Sequence, residues 1–182
     1  FDIQVLVHRC FKLGIPLPGI FKSRERNKWE NYTQRYADAW HCDVMDAMAN
    51  YRASHNIKLD LAASSIGLPG KIGIDGSNVA SLYENGEINK IADYCETDVM
   101  NTYGVYLRWL LTIGKITPDI YRKSVDNFLD YIMEKSEERS HFREFIHQTD
   151  YNEFKLIEPD EVLSIEYDKP KNETSPDIKM VG

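Results

Sequence analysis

Apolar residues return every three or four positions at Ile88, Ile91, Ala92, Val99, Tyr103, Tyr106, Leu107, Leu110 and Leu111. That period predicts a long helix from Ile88 to Leu111. Shorter helices are predicted around it. Asp2 to Leu13 places Ile3, Leu6, Val7, Cys10 and Leu13 on one side, with Asp2 at an N-cap position and Gly14 and Pro16 as stops. Pro16-Leu17-Pro18-Gly19 reads as a loop. Leu59 to Gly67 is a further amphipathic helix closed by Gly67, and Val79 to Tyr83 a short one before the Asn85-Gly86 turn. Thr117-Pro118-Asp119 starts a helix with proline at its first position. It runs to about Glu138 and turns Ile120, Val125, Phe128, Leu129 and Ile132 inward; Ser140 to His147 follows as another short helix. Trp40 to Asp46 reads as a short strand feeding a helix from Ala47 to Arg52. Beyond Asp150 the pattern weakens. Phe154 to Ile157 and Val162 to Tyr167 are read as a hairpin, and Asp168 to Gly182 as a polar tail with little fixed structure. The organisation expected is one folded domain over residues 1–150 and an extension over 151–182.

Composition narrows the class. A chain of 182 residues suits one domain with a real core. A net charge of −7 argues against a protein that coats nucleic acid by bulk electrostatics. It leaves room for an enzyme that meets phosphates through a metal and a local basic patch. No apolar run approaches the ~18–20 residues of a membrane span, and no signal-peptide pattern opens the chain. Cys10, Cys42 and Cys95 are odd in number, far apart and without zinc spacing, which fits reduced thiols in a cytoplasmic protein. The Asn-x-Thr matches at Asn31 and Asn172 are then coincidental. The chain opens in mid-pattern on Phe1 rather than Met, as a piece of a longer chain would.

Candidate chemistry centres on the long helix. Tyr94 and Asp98 stand four apart, one turn above the other, off the main apolar stripe. A carboxylate there could hold a hard divalent cation, and the phenol could hydrogen-bond the water that cation activates. A Tyr-Asp pair on a solvated helix face is the plainer reading. Between Lys22 and Trp40, basic residues including Arg26 alternate with aromatics including Trp29. Such a mixture suits a groove that tracks a nucleic-acid backbone and stacks bases, and equally an exposed mixed-charge loop. His41 and Asp43 read as a hydrogen-bonded structural pair. Leu68 to Ser77 is glycine-rich but lacks the spacing of a phosphate loop. Its Lys71 could still approach a backbone phosphate.

Four stretches together resemble a known family. They are Phe1-Asp2-Ile3-Gln4-Val5-Leu6; His41-Cys42-Asp43-Val44-Met45-Asp46; Gly67-Leu68-Pro69-Gly70-Lys71 with Asp75-Gly76-Ser77; and Tyr94-Cys95-Glu96-Thr97-Asp98 running on through Asn101-Thr102-Tyr103. Tyr-x3-Asp on a helix, with Phe-Asp opening an upstream helix, resembles the third and second motifs of the DEDDy 3′–5′ exonucleases. The set is most similar to predicted exonucleases related to the proofreading domain of family B DNA polymerases. The resemblance covers roughly residues 1 to 115.

It implies an RNase H-like (DnaQ-like) α/β fold, a mixed sheet flanked by helices, here rich in helix because the first strands are not in this stretch. It implies four metal-binding carboxylates and two Mg²⁺ or Mn²⁺ ions. Asp2 is then the second-motif acid, Asp98 the third-motif acid, and Tyr94 the residue that orients the attacking water. The Asp-x-Glu of the first motif occurs nowhere in this sequence, and the resemblance places it upstream of Phe1. The activity implied is removal of nucleotides from a 3′ end, with single-stranded DNA the expected substrate and RNA the alternative. Lys71, Trp29 and Arg26 are the candidates for holding the strand. Two other readings remain: a non-catalytic module on the same fold that binds nucleic acid or protein, and a helical interaction domain unrelated to nucleases. Oligomeric state is not legible.

Overall fold

The computed structural model describes residues 2–73 and 76–156, without the side chains of Asp2 and Ser23. Every regular element among the described residues is helical. In chain order these are α1 (Asp2–Leu13), α2 (Pro18–Arg26), α3 (Val44–Met48), α4 (Leu59–Ser64), a single 3₁₀ turn (Gly76–Asn78), α5 (Val79–Glu84), α6 (Ile88–Thr112), α7 (Pro118–Lys135), α8 (Ser140–Gln148) and α9 (Tyr151–Phe154).

α6 is the axis on which α3, α4, α5, α7 and α8 pack. Its neighbour α7 starts as the sequence demands. The Thr117 hydroxyl accepts a hydrogen bond from the Ile120 amide, and Pro118 stands where a missing N–H costs nothing. Tyr121, Val125, Phe128, Leu129 and Ile132 then recur at helical spacing and are all buried. Tyr121 occupies the inward position expected of Ile120, which is 52 % exposed. Phe142 and Phe145 of α8, Met100, Val105 and Leu107 of α6, and Leu68 complete the core. Each such side chain contributes about 1.5–3 kcal/mol on leaving water.

Two expectations are corrected. Trp40 to Asp46 is not a strand: residues 41–43 have no regular structure, and α3 begins at Val44. The Asp43 carboxylate accepts from the Asp46 amide 3.0 Å away, and that cap commits the segment to a helix. The loop expected at Pro16 to Gly19 is shorter than its prolines suggest, because Pro18 is the first residue of α2.

The buried face of α6 also differs from the apolar stripe. Val99 and Ile88 are more than half exposed, whereas Thr97, Asn101 and Gly104 lie inside. Gly104 is there for space: a Cβ on it would run into Leu68 and come within 3.2 Å of the Phe154 ring. Phe154 is fully buried at the end of α9, so the core extends past Asp150. The hairpin from Phe154 to Ile157 with Val162 to Tyr167 lies, but for Phe154 to Leu156, outside the described residues, as does the polar tail. No helix among the described residues is long and apolar enough to cross a membrane.

Candidate active site

α6 sets Tyr94 and Asp98 one turn apart, both half-buried. The Tyr94 hydroxyl favours the ionised form of the Asp98 carboxyl one turn away. Burial pushes the Asp98 carboxyl above its ordinary range; the Tyr94 hydrogen bond and the Lys71 charge pull the other way and only partly offset it. The 3₁₀ turn comes up against Tyr94, where a Cβ on Gly76 would stand 3.6 Å from the Tyr94 hydroxyl. The Lys71 charge thus acts on the carboxyl that Tyr94 adjoins on α6.

Lys71 arrives there through the backbone of the turn before it. Gly70 has a φ of +67°, and a Cβ on it would lie 2.5 Å from Asp60 Oδ1, so only glycine fits. The Gly70 amide donates to Asn101 Oδ1 at 3.1 Å, and Asn101 Nδ2 donates to the Gly70 carbonyl at 2.7 Å. Asn101 Nδ2 also donates to the Thr97 carbonyl at 3.1 Å. On the other side, the Lys71 amide donates to Asp60 Oδ1 at 2.8 Å. Asn101 stands on α6 three residues beyond Asp98, fully buried. Sequence reading assigned it no role. The available signal was a polar residue one turn past the candidate acid, at a position the helix turns inward.

Glu96, between the two candidate residues, points elsewhere. Arg139 Nη1 donates to Glu96 Oε1 at 2.5 Å, and His141 Nε2 lies 2.7 Å from Glu96 Oε2. Burial opposes its ionisation, but the hydrogen bonds from His141 and Arg139 outweigh that and hold the Glu96 carboxyl below its ordinary range. This pair of contacts fixes how α8 sits along α6. A lowered carboxyl value stabilises the fold above the ordinary glutamate range, and that stabilisation is lost as pH falls through the lowered value. Glu96 is still 39 % exposed, so water screens the pairing. Glu96→Gln is expected to cost at most about 1 kcal/mol at pH 7, about 2–4 °C in Tm. The gap to wild type should close as pH falls below the ordinary glutamate range, as melting curves across pH would read.

The remaining candidates are dispersed. Asp2 opens α1, and its side chain lies outside the described residues, so its approach to Asp98 does too. Arg26 ends α2 in an exposed position, and Trp29 is 70 % exposed with the Lys28 ammonium 5.0 Å above its ring. No hydrogen bond, ion pair or ring contact among the described residues joins either to α6. The basic-aromatic segment spends much of its chemistry on itself: Arg35 forks onto Asp46 with both bonds at 2.5 Å, and Tyr32 meets Trp40 edge-on at 5.3 Å. Asn31 is fully buried and hydrogen-bonded to Asn27 and Thr33, which removes it from any surface modification.

A family model described as a predicted 3′-5′ exonuclease related to the exonuclease domain of PolB matches residues 1–149. The chain belongs to this exonuclease family. No curated protein and no solved structure gives a significant match. Membership makes the chain part of a phosphodiester-cleaving enzyme family and implies an RNase H-like exonuclease fold; the described residues, all helical in their regular elements, are consistent with a helix-rich part of it. It also implies a nucleic-acid substrate. Among the described residues, no three His, Cys, Asp or Glu gather to hold a metal ion by themselves. Asp98 fits as one hard-oxygen ligand of a divalent cation, and a complete site needs more.

Proposed function

We propose that this exonuclease-family chain removes nucleotides from the 3′ end of single-stranded DNA with divalent ions held by Asp98, Asp2 and further carboxylates. The observation that carries the reading is Tyr94 and Asp98, half-buried one turn apart on α6, with the Lys71 charge acting on the carboxyl. A phenol, a carboxylate and a cation at one spot is a donor set suited to a phosphate and an attacking water. Two such ions, when bound, neutralise the scissile phosphate and supply a nucleophile near neutral pH.

The chain's own groups do the rest. Asp98 offers an oxygen ligand at a fixed point on a rigid helix. Tyr94 can donate one hydrogen bond and accept another, so it aligns water without being ionised. Lys71 supplies a point charge for a neighbouring phosphate. A single-stranded end suits the site because it can be threaded extended toward a group on a helix face.

The test is release of mononucleotides from a 3′-labelled single-stranded DNA, with and without Mg²⁺ or Mn²⁺, using the full-length protein. Release that needs the ion supports the reading. Binding of the oligonucleotide with no ion-dependent release favours the non-catalytic module, and faster release from the matched RNA would replace DNA as substrate. Tyr94→Phe is expected to lower kcat about 10–100-fold while KM changes less than about threefold, since it removes a group used in the reaction rather than in binding.

A further inference from the structure

The Gly70-Lys71 turn is held to α6 by a device that the chemistry of the site does not require. Asn101 is fully buried, yet it spends its amide on the two polar groups of a single residue, accepting from the Gly70 N–H and donating to the Gly70 carbonyl. Its third bond, to the Thr97 carbonyl, fixes the amide against its own helix. Asp60 at the edge of α4 takes the Lys71 amide, and Gly70 leaves no room for a side chain between them. The turn is thus gripped at consecutive residues from two helices. Its grip on α6 lies one turn from Asp98.

We propose that Asn101, assisted by Asp60, is a positioning residue. It sets the backbone of Lys71 so that the ammonium meets a substrate phosphate beside Asp98. This rests on the nuclease reading of the site and deepens it by naming what aims the phosphate contact. A lysine on a free loop would lose rotamer and backbone entropy on meeting a phosphate; one on a clamped turn has already lost part of it.

The proposal is separable from mere stability, because each phosphate contact leaves a signature in salt dependence. Binding of a single-stranded oligonucleotide weakens with salt by a slope of about 0.7 per neutralised phosphate. Lys71→Gln is expected to reduce that slope by about 0.7 and to weaken binding about 5–10-fold. Asn101→Ala, measured on folded protein, is expected to reproduce the reduced slope with Lys71 still present. Adding Asn101→Ala to Lys71→Gln should then change binding less than twofold. Asp60→Ala, at an exposed residue, gives a smaller change of the same kind and serves where Asn101→Ala does not fold.

An unchanged slope in both Asn101→Ala and Asp60→Ala, or effects that simply multiply with that of Lys71→Gln, overturns the proposal. So does absence of oligonucleotide binding by wild type. Binding with the expected slopes but without ion-dependent cleavage leaves the positioning role standing and removes the catalytic reading.

Discussion

Asp98→Asn in the full-length protein is expected to reduce 3′-end hydrolysis by at least about 10²–10³-fold. The substitution keeps the shape of the side chain. It removes the charge that would bind a cation, and metal-borne charge stabilisation is worth several kcal/mol, each 1.4 kcal/mol being tenfold in rate. The same change should not weaken the fold. Burial raises the Asp98 carboxyl above its ordinary range, so its ionised form costs the native state stability as pH rises through that raised value. Asparagine carries no such cost. The expected pattern at neutral pH is an inactive protein with a Tm equal to or above that of wild type. Residual turnover within tenfold of wild type would take Asp98 out of the reaction. A large fall in Tm would assign its loss to folding instead.

Phe154→Ala is expected to cost about 3–5 kcal/mol, or about 6–20 °C in Tm. α9 spans only Tyr151–Phe154 and has no stability of its own. Everything that holds it comes from elsewhere. Asp150 caps it through the Asn152 and Glu153 amides, and the Asp150 amide donates to the Gly67 carbonyl at 2.7 Å. Arg108 Nη2 and the Tyr121 hydroxyl both donate to the Phe154 carbonyl at 2.9 Å. The Phe154 ring fills the space that Gly104 leaves and meets Tyr121 and Phe128 edge-on. Truncation to alanine empties that space while the polar anchors remain. Denaturant melts would read the loss, and a change below 1 kcal/mol would show that the surroundings collapse to fill it.

How much of this was legible depended on which physical signal a residue carries. The long helix was, because nine apolar positions keep one period: Ile88 to Leu111 was expected, and Ile88–Thr112 is found. The start of α7 was as well, since Thr117 and Pro118 each have one favourable use. Tyr94 and Asp98 could be paired by spacing alone. The burial of Thr97, Asn101 and Gly104 could not. Hydropathy reads attraction to an apolar interior, and these positions are inside for other reasons. Asn101 is there to satisfy a loop, and Gly104 to let Leu68 and a ring close in. α2 was missed because Pro18 is as much a helix start as a turn. The strand expected at Trp40 to Asp46 failed because an alternation this brief is outweighed by one capping carboxylate.

The grip of Asn101 on Gly70 is a single rung rather than a ladder. A ladder of backbone pairs can slip by one step and re-form; a lone amide cannot. With Asp60 as a second pin on the next residue, the length of the turn is fixed along with its glycine. Inserting or deleting one residue between Leu68 and Lys71 would unseat both pins together, so tolerance to indels in this region should end abruptly at those two residues.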